Sequence, residues 1–313
     1  MSKTKVAVFG ETGMAGRALV KVLKESGYCD VVPTTHNVFG DKLDFRKQMD
    51  VDSVFVEYRP EIVFNCAATV AGIKANRDDP VKFLSDNILM TTNIVNSSFT
   101  HGVEDLMNYS SSCVYPADCP QPMDIEHLFT GPFETTNEGY SIAKVAGMKL
   151  VEYYRRQYGL NYVSIIPNNM FGPGQDYNPE TAHVLGSLIA KFVDAADNRD
   201  DILVLWGDGS PRREFVHVED VANIAVEIIQ DKPKFPYINI GNYEDVAIKV
   251  MAKKIAVFVG FNGRIVWDVD MPNGMMRKKL CIEIMEDSYG RPYMIDWETC
   301  IPDMVEEYRK GKI

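Results

Sequence analysis

A tyrosine and a lysine four residues apart, Tyr140 and Lys144 in YSIAK, form the clearest chemical pattern of the chain. In a helix, positions i and i+4 lie on one face, so the ammonium would stand beside the phenol. A neighbouring positive charge favours the phenolate, which predicts that the pKa of Tyr140 falls below its ordinary value of about 10. Such a tyrosine can exchange a proton with a carbonyl or hydroxyl oxygen. An ordinary surface pair is the alternative.

A second polar cluster, YSSSCVYP, follows an apolar segment that we predict to be a strand. Ser111 lies at the end of this strand, where ligands of open α/β sheets bind, and its hydroxyl can bond the same oxygen as Tyr140. Cys113 follows two residues later, and if the strand continues both side chains point to one side. The pattern therefore predicts a thiol that also faces the substrate, with a small buried core residue as the alternative.

Three glycines, Gly10, Gly13 and Gly16, follow the first apolar segment and precede a segment of helical periodicity. A strand, a glycine turn and a helix let the backbone approach a pyrophosphate at the helix N-terminus. A plain tight turn is the alternative, but the place of the loop between strand and helix favours a dinucleotide site.

The end of the second predicted strand bears on the choice between NAD and NADP. An acidic residue there would hold the ribose 2′-hydroxyl of NAD. Thr34, Thr35 and His36 stand at this place, with no Asp or Glu among them. The sequence therefore favours NADP(H), although no arginine that would hold a 2′-phosphate stands there either.

Apolar segments alternate with helical ones in the first half of the chain, which predicts a parallel, doubly wound sheet. The predicted strands are 5–10, 30–35, 61–68, 105–111 and 161–167, and the predicted helices are 15–26, 47–58, 80–101 and 137–159. A Pro- and Gly-rich loop is predicted over 168–183. Beyond it, we predict helices at 184–197, 218–231 and 246–259 and short strands at 202–206, 236–240 and 264–267.

These elements predict an α/β protein with a Rossmann-like doubly wound parallel sheet and a smaller C-terminal substrate lobe. The nucleotide domain is expected over 1–168, with returning segments at about 214–242. The substrate domain is expected over 169–213 and 243–313.

Composition restricts the function classes. A net charge of −11 argues against nucleic acid as a main partner, and it requires local cations or backbone N–H groups around any phosphorylated ligand. The six cysteines form no CxxC pair, so neither a zinc site nor a disulfide scaffold is expected, and no metal is predicted. No apolar run of membrane-spanning length and no signal-peptide pattern occurs, so we expect a cytoplasmic protein without a membrane partner.

Several short segments occur in the order and spacing of one enzyme family: SSCVYP, TGPFETTNEGYSIAKVAGMKL, NNMFGP, LWGDGSPRREFVHVED and INIG. From about residue 5 to 280 the chain resembles the GDP-L-fucose synthase family of the extended short-chain dehydrogenase/reductases, whose glycine loop has the same GxxGxxG spacing. Members of that family are NADPH-dependent GDP-4-keto-6-deoxy-mannose 3,5-epimerase/4-reductases. The resemblance implies a GDP-sugar substrate, the cofactor NADP(H) and a homodimer.

The resemblance also implies catalytic roles, residue by residue. Ser111, Tyr140 and Lys144 match the Ser-Tyr-Lys set of the short-chain dehydrogenase/reductases. Cys113 and His183 match a second acid–base pair, which epimerises C3 and C5 before the C4 ketone is reduced. Such epimerisation is chemically reasonable because the ketone acidifies the protons on both neighbouring carbons. For His183, at the start of a predicted helix, capping or packing is the alternative.

The remaining binding residues are likewise implied by the resemblance. On the cofactor side they are Gly10, Thr12, Gly13, Met14, Gly16, His36, Asp44, Ala67, Lys144 and Asn168. On the substrate side they are Asn169 at the sugar, Val184 and Leu188 at the guanine, Trp206 near the nucleotide, and Arg213 and Lys278 at the diphosphate. The alternative is a helix N-cap for Asp44, and solvated surface charge for Arg213 and Lys278.

Four features depart from the family pattern. Glu11 and Thr12 fill the interval of the glycine loop where the family carries an arginine, and His36 replaces an arginine of the second strand. Asn168 stands in the family's Pro-Thr-Asn, and Cys281 stands where an aspartate is expected. The first two departures weaken the expectation of strong NADP binding, and the third bears on which sugar is accepted.

Two other functions stay open at this stage. A related GDP-4-keto-heptose C4-reductase or a GDP-colitose synthase is the alternative enzyme, and the presence of both Cys113 and His183 argues against reduction without epimerisation. A non-catalytic NADP(H)-binding sensor is the alternative outside enzymes, and the intact Tyr140–Lys144 pair argues against it.

Overall fold

The central element of the protein is a six-stranded parallel sheet. A computed structural model describes residues 3–27, 29–37, 39–178, 181–271, 273–290 and 294–312. The strands of the sheet are β1 (Thr4–Phe9), β2 (Cys29–Val32), β3 (Ile62–Asn65), β4 (Asp105–Tyr109), β5 (Asn161–Pro167) and β9 (Tyr237–Ile240). Their order is β2-β1-β3-β4-β5-β9, and every pairing is parallel. The predicted Rossmann-like α/β fold is confirmed.

Helices cover both faces of this sheet. They are α1 (Met14–Ser26), α2 (Gln48–Tyr58), α4 (Pro80–Thr100), α5 (Glu138–Tyr158) and α7 (Val218–Asp231), and the short helix α3 (Ile73–Asp78) contacts α4. Val6 and Val8 of β1 pack into the core on the side of α1 and α7, whereas Ala7 and Phe9 pack on the side of α2 and α4. Because both faces of the strand are buried, its sequence is continuously apolar rather than alternating. No helix in the described ranges is both long and apolar enough to cross a bilayer.

A second core lies in the C-terminal part of the chain. The remaining elements are β6 (Asn169–Phe171), α6 (Val184–Asn198), β7 (Ile202–Trp206), β8 (Arg212–His217), β10 (Asp245–Ala247), α8 (Ile248–Val259), β11 (Arg264–Asp268), β12 (Arg277–Lys278), α9 (Glu283–Tyr289) and α10 (Ile301–Gly311). Strand β8 lies between β10 and β12 and also pairs with β6, while β7 pairs with β11. Side chains of α6, α8 and α10 form the separate apolar cluster of this part. The domain boundaries expected from the sequence stay a prediction.

The structure differs from the predicted elements next to the candidate site. The second strand ends at Val32 rather than at residue 35, and the fourth ends at Tyr109 rather than at 111. After β4 the chain turns into a 3-10 helix, Ser112–Val114, with Ser111 as its N-cap. The idea that Ser111 and Cys113 follow one strand is therefore wrong. The predicted loop over 168–183 contains the short strand β6, and its residues 179 and 180 lie outside the described residues.

Gly16 is the tightest point of the first turn, and it yields a stability prediction. A Cβ built on Gly16 would lie 2.1 Å from the carbonyl oxygen of Gly10, which belongs to the backbone and cannot move aside. We expect Gly16→Ala to lower the free energy of unfolding by about 1–3 kcal/mol, the usual cost of overpacking. Chemical denaturation followed by circular dichroism measures this change.

Gly13→Ala is the matched control for that measurement. Its Cβ would lie 3.4 Å from the same Gly10 oxygen, and the φ angle of Gly13, −77°, suits any residue. An equal loss of stability in both variants, or no loss in Gly16→Ala, would contradict the close packing of helix α1 on the loop.

Candidate active site

Tyr140 and Lys144 lie in α5, which packs beside the end of β4. Both side chains are buried, with 9% and 5% of their surface exposed. The Lys144 Nζ donates a 2.8 Å hydrogen bond to the carbonyl oxygen of Tyr109, the last residue of β4, and lies 5.8 Å from the ring centroid of Tyr140. This bond fixes the phenol-bearing helix against the strand end that leads into Ser111.

The charge state of Tyr140 differs from the sequence prediction. Burial raises the pKa of Tyr140, the nearby Cys113 raises it further, and the Ser111 hydroxyl acts in the opposite direction. Burial also lowers the pKa of Lys144 to about 8. The prediction that the pKa of Tyr140 falls below its ordinary value is therefore wrong for this structure, because desolvation of the phenol is the largest effect and raises the pKa. A phenol that keeps its proton is the form that can protonate a ketone oxygen.

Cys113 is half-buried and lies among hydrogen-bond donors. Its Sγ accepts from the Nδ2 of Asn137 at 3.1 Å and from the Nζ of Lys278 at 3.3 Å, while its own N–H donates to the Ser111 Oγ at 3.3 Å. Burial alone would raise the pKa of the thiol, but the charge of Lys278 and the hydrogen bonds from Ser111, Lys278 and Asn137 outweigh burial and lower it. These surroundings therefore make the thiolate, the form that accepts protons, easier to form than in water.

His183 is the N-cap residue of α6, yet its side chain makes no capping hydrogen bond, so capping does not explain it. Its side chain is exposed, although neighbouring atoms remove part of its hydration. This desolvation lowers the pKa of the imidazole, and the charge of Lys278 lowers it further against the opposing effect of Asp176. Lys278 thus acts on both His183 and Cys113.

Arg213 and Lys278 are neighbours across the parallel pairing of β8 and β12. Both are half-buried, which contradicts the alternative of solvated surface charges. The Nη1 of Arg213 donates to the carbonyl oxygens of Arg212 at 2.8 Å and Met275 at 2.6 Å. Burial lowers the pKa of Arg213, and the proximity of Cys113 raises it. The two cations thus create a positive region in an acidic chain.

The glycine loop closely approaches the end of β3, as a dinucleotide cradle requires. Gly10 has φ +88°, and a Cβ there would lie 2.8 Å from the backbone nitrogen of Ala67. Gly13 is the N-cap of α1 and Met14 its first residue, so the N–H groups of the first helical turn begin at the loop. Thr12 is exposed at its tip. Such a surface fits the pyrophosphate of a dinucleotide.

The two other predicted adenosine contacts lie beyond β2. His36 is exposed and forms an isolated antiparallel bridge with Lys42. The carboxylate of Asp44 pairs with Arg46 at 2.8 Å, and a hydrogen bond from Arg46 lowers the pKa of Asp44. The N-cap of α2 is Lys47, so the capping alternative for Asp44 is wrong. Its contact with adenine stays a prediction.

Asn168 and Asn169 both donate hydrogen bonds to Glu214, a residue that the sequence analysis did not identify. The Nδ2 of Asn168 donates to the Glu214 carboxylate, and the Nδ2 of Asn169 donates to the Glu214 carbonyl oxygen at 2.8 Å. Glu214 is fully buried, and burial raises its pKa to about 7. The signal in the sequence was a carboxylate directly before the apolar residues Phe215 and Val216 in REFVH. Asn137 was also missed, although an Asn at the start of a predicted helix is a recognisable capping position.

The predicted guanine contacts are unequal in their exposure. Val184 is half-buried in the first turn of α6, whereas Leu188 is 5% exposed and packs in the second core. Trp206 ends β7 with 56% of its surface exposed, and the Lys191 Nζ lies 5.9 Å from its ring. The roles of these residues at a nucleotide stay predictions.

Comparisons with known proteins point to one family. The model of the NAD dependent epimerase/dehydratase family matches residues 6–241. The chain is 40% identical over 274 residues to a putative GDP-L-fucose synthase 2 of Arabidopsis thaliana. The aligned region covers 88% of this chain and 82% of that protein. The resemblance inferred from the sequence motifs is confirmed.

Two solved structures are similar over nearly their full length. A GDP-6-OMe-4-keto-L-xylo-heptose reductase from C. jejuni is 27% identical with a TM-score of 0.88, covering 100% of this chain and 99% of that one. A GDP-L-fucose synthetase from Naegleria fowleri bound to NADP is 25% identical with a TM-score of 0.87, covering 100% of this chain and 96% of that one.

The Lys278–Cys113 contact predicts how the thiol responds when the charge is removed. In Lys278→Met the pKa of Cys113 should rise, because burial then acts with less compensation. The rate of alkylation of Cys113 by iodoacetamide, followed by mass spectrometry against pH, should therefore shift to higher pH.

Lys279→Met provides the matched control. It removes the same charge one residue further along, from a side chain whose Nζ donates to the Tyr243 carbonyl oxygen at 2.6 Å. If both variants shift the pH dependence of Cys113 alkylation equally, the shift is caused by the change in net charge and not by loss of the contact between Lys278 and the Cys113 sulfur.

Proposed function

Since the chain belongs to the NAD dependent epimerase/dehydratase family, we propose that it converts GDP-4-keto-6-deoxy-D-mannose to GDP-L-fucose with NADPH. One observation carries the proposal: a buried Tyr140, whose pKa is raised, and the Cys113 thiol, whose pKa is lowered, share one region of the structure. A ketone reductase needs the first group, whereas a 3,5-epimerase needs the second. The name of the Arabidopsis relative and the NADP bound to the Naegleria structure support this reading.

Epimerisation is assigned to Cys113 and His183. The C4 ketone acidifies the hydrogens on C3 and C5, so a modest base can remove each one and an acid on the opposite face can return it. The thiolate is stabilised by Lys278 and Asn137, and the lowered pKa of His183 leaves a neutral imidazole at neutral pH. The pair therefore has groups able to accept a proton and, once protonated, to give it back.

Reduction is assigned to Ser111, Tyr140 and Lys144. Bound NADPH supplies the hydride for C4. Tyr140 then gives its proton to the C4 oxygen, and burial keeps this proton on the phenol until the ketone is in place. Lys144 holds α5 against the carbonyl of Tyr109, so that Tyr140 and the Ser111 hydroxyl serve one oxygen.

The GDP part of the substrate is assigned to the second lobe. Arg213 and Lys278 are the cations for the diphosphate, because their half-buried charges offset the net charge of −11 locally. Asn169 is assigned to the sugar, and the remaining contacts of the nucleoside are assigned to Val184, Leu188 and Trp206.

A GDP-4-keto-heptose C4-reductase is the second candidate. The observation that favours it is the close similarity of the whole chain to the C. jejuni heptose reductase, with a TM-score of 0.88. A plain reductase has no use for a stabilised thiolate beside the sugar, so Cys113 favours the epimerase/reductase.

The cellular location that we propose is the cytoplasm. All six cysteines are free thiols, and free thiols are typical of a reducing compartment. Dependence on a reduced dinucleotide fits the same compartment.

Two-stage chemistry predicts that the two catalytic sets can be separated. With GDP-4-keto-6-deoxy-mannose and NADPH in D₂O, the wild type should consume NADPH, measured by nicotinamide absorbance, and place deuterium at C3 and C5, measured by NMR. Tyr140→Phe should slow NADPH oxidation by about 10²–10⁴-fold, the usual contribution of a general acid, while C3/C5 exchange continues. Cys113→Ser should suppress the exchange.

Two results would decide against this function. Reduction without deuterium at C3 and C5 would identify a plain C4-reductase. Tight binding of NADPH with no turnover of any GDP-keto-sugar would identify a non-catalytic sensor.

We further propose that the chain forms a homodimer through α4 and α5. These helices pack on each other, and they expose large apolar side chains: Val81, Leu89, Ile142 and Tyr153 are between 40% and 75% exposed. Burying such a surface against a second copy is favourable. Light scattering after size exclusion should give twice the chain mass of 35.3 kDa.

An interface variant sharpens this test. Ile142→Glu should shift the mass towards the monomer, since it places a charge in the buried contact. Val257→Glu, at an 82% exposed position of α8, is the control and should leave the mass unchanged. A monomeric wild type, or equal effects of both substitutions, would reject the interface.

A further inference from the structure

A carboxylate spans from the glycine loop to the residues that follow β2. The Oε1 of Glu11 accepts a 2.9 Å hydrogen bond from the backbone nitrogen of Thr34 and another from the Thr35 hydroxyl. Thr34 is itself fixed, because it is fully buried and its hydroxyl donates to the Val8 carbonyl oxygen at 2.8 Å. The orientation of the Glu11 carboxylate is therefore set by both the loop and the strand end.

This corner of a dinucleotide-binding fold is where the adenosine ribose lies. An acidic side chain at the end of the second strand accepts from the 2′-hydroxyl of NAD, whereas an arginine accommodates the 2′-phosphate of NADP. Residues 34–36 contain no acid. The folded chain nevertheless has an acidic side chain beside these residues, because Glu11, which lies 23 residues before Thr34 in the sequence, bonds to the Thr34 nitrogen.

The second carboxylate oxygen of Glu11 is the one able to meet a ribose. Within the described ranges, Oε1 receives both hydrogen bonds, and Oε2 has neither a hydrogen-bond nor an ion-pair partner. Glu11 is only half-buried, so a ligand in the cradle can reach it.

The cations near this corner offer little compensation for a phosphate. Arg46 is already paired with Asp44 at 2.8 Å and with Asp86 at 3.2 Å. His36 and Lys42 face each other across an isolated bridge, and both are exposed to solvent, where their attraction to a phosphate is screened. A 2′-phosphate here would meet the Glu11 carboxylate at close range.

We propose that Glu11 determines the dinucleotide specificity of this chain: its carboxylate accepts from the ribose 2′-hydroxyl of NADH and opposes the 2′-phosphate of NADPH, so that both dinucleotides bind. This rests on the proposed dinucleotide site, and it changes the expectation drawn from residues 34–36 alone. NADPH remains a cofactor, but the site does not select strongly against NADH.

Direct binding measurements test the proposal without catalysis. Dissociation constants of NADH and of NADPH are measured by isothermal titration calorimetry on wild type, Glu11→Gln and Glu11→Asp. Glutamine keeps acceptors for Thr34 and Thr35 but removes the charge, whereas aspartate keeps the charge on a shorter side chain. Glu25→Gln, at an exposed position of α1 away from the loop, changes the net charge equally.

We expect wild type to bind the two dinucleotides within about tenfold of each other, and Glu11→Gln to shift the ratio towards NADPH by about tenfold, or about 1.4 kcal/mol. Glu11→Asp and Glu25→Gln should keep a ratio closer to that of wild type. A melting temperature equal to that of wild type shows that Glu11→Gln is folded.

Three outcomes would overturn the inference, and they separate it from the proposed function. If both dinucleotides bind and the ratio of their dissociation constants is equal in Glu11→Gln and Glu25→Gln, Glu11 does not determine specificity, and the proposed enzyme function is unaffected. The role of Glu11 is also contradicted if wild type binds NADPH more than about a hundredfold tighter than NADH, a difference in binding free energy of about 2.7 kcal/mol. Failure of wild type to bind either dinucleotide overturns the cofactor assignment and the role of Glu11 together.

Discussion

The contact between the Lys278 ammonium and the Cys113 sulfur joins the two halves of the candidate site. Cys113 follows β4 of the central sheet, whereas Lys278 lies in β12, whose partner β8 carries Arg213. Without the positive charge, burial would raise the pKa of the thiol against only the hydrogen bonds from Ser111 and Asn137, and the thiol would be a poorer proton acceptor. The epimerase chemistry that we propose for Cys113 therefore depends on how firmly the small sheet is held against the large one.

A buried carboxylate provides that attachment. Glu214 accepts from the side chain of Asn168, just beyond β5, and from the backbone nitrogens of Asn242 and Leu280, at 2.8 Å and 3.1 Å. Asn168 follows β5 and Asn242 follows β9, both strands of the large sheet, whereas Leu280 follows β12 of the small sheet. The Glu214 side chain on β8 therefore connects strand ends of both sheets. Buried polar groups that are fully bonded specify one arrangement. Arg213 and Lys278 consequently have a fixed place near Cys113.

Local patterns predicted much of this molecule. The buried strands read as apolar runs, the glycine loop has the spacing of a cradle, and the i, i+4 pair of Tyr140 and Lys144 lies on one helix as expected. The turn at Ser112–Val114 was not predictable, because nothing in YSSSCVYP marks where the ladder ends. The sequence marked Glu11 only as a departure from the family pattern, and its contact with Thr34 was missed for a related reason: this contact results from the parallel pairing of β1 and β2, which no single window of sequence contains.

The difference between the pKa values of the two proton-transfer groups, Cys113 and Tyr140, comes more from their surroundings than from the chemistry of a thiol and a phenol. In water a thiol loses its proton more readily than a phenol by only about one to two pKa units. In the structure, Lys278 and Asn137 lower the pKa of Cys113, while desolvation and the nearby sulfur raise that of Tyr140. Environments that push two pKa values apart assign one group as base and the other as acid. In the proposed mechanism, Cys113 can therefore remove a proton from carbon while Tyr140 still holds a proton for the ketone oxygen.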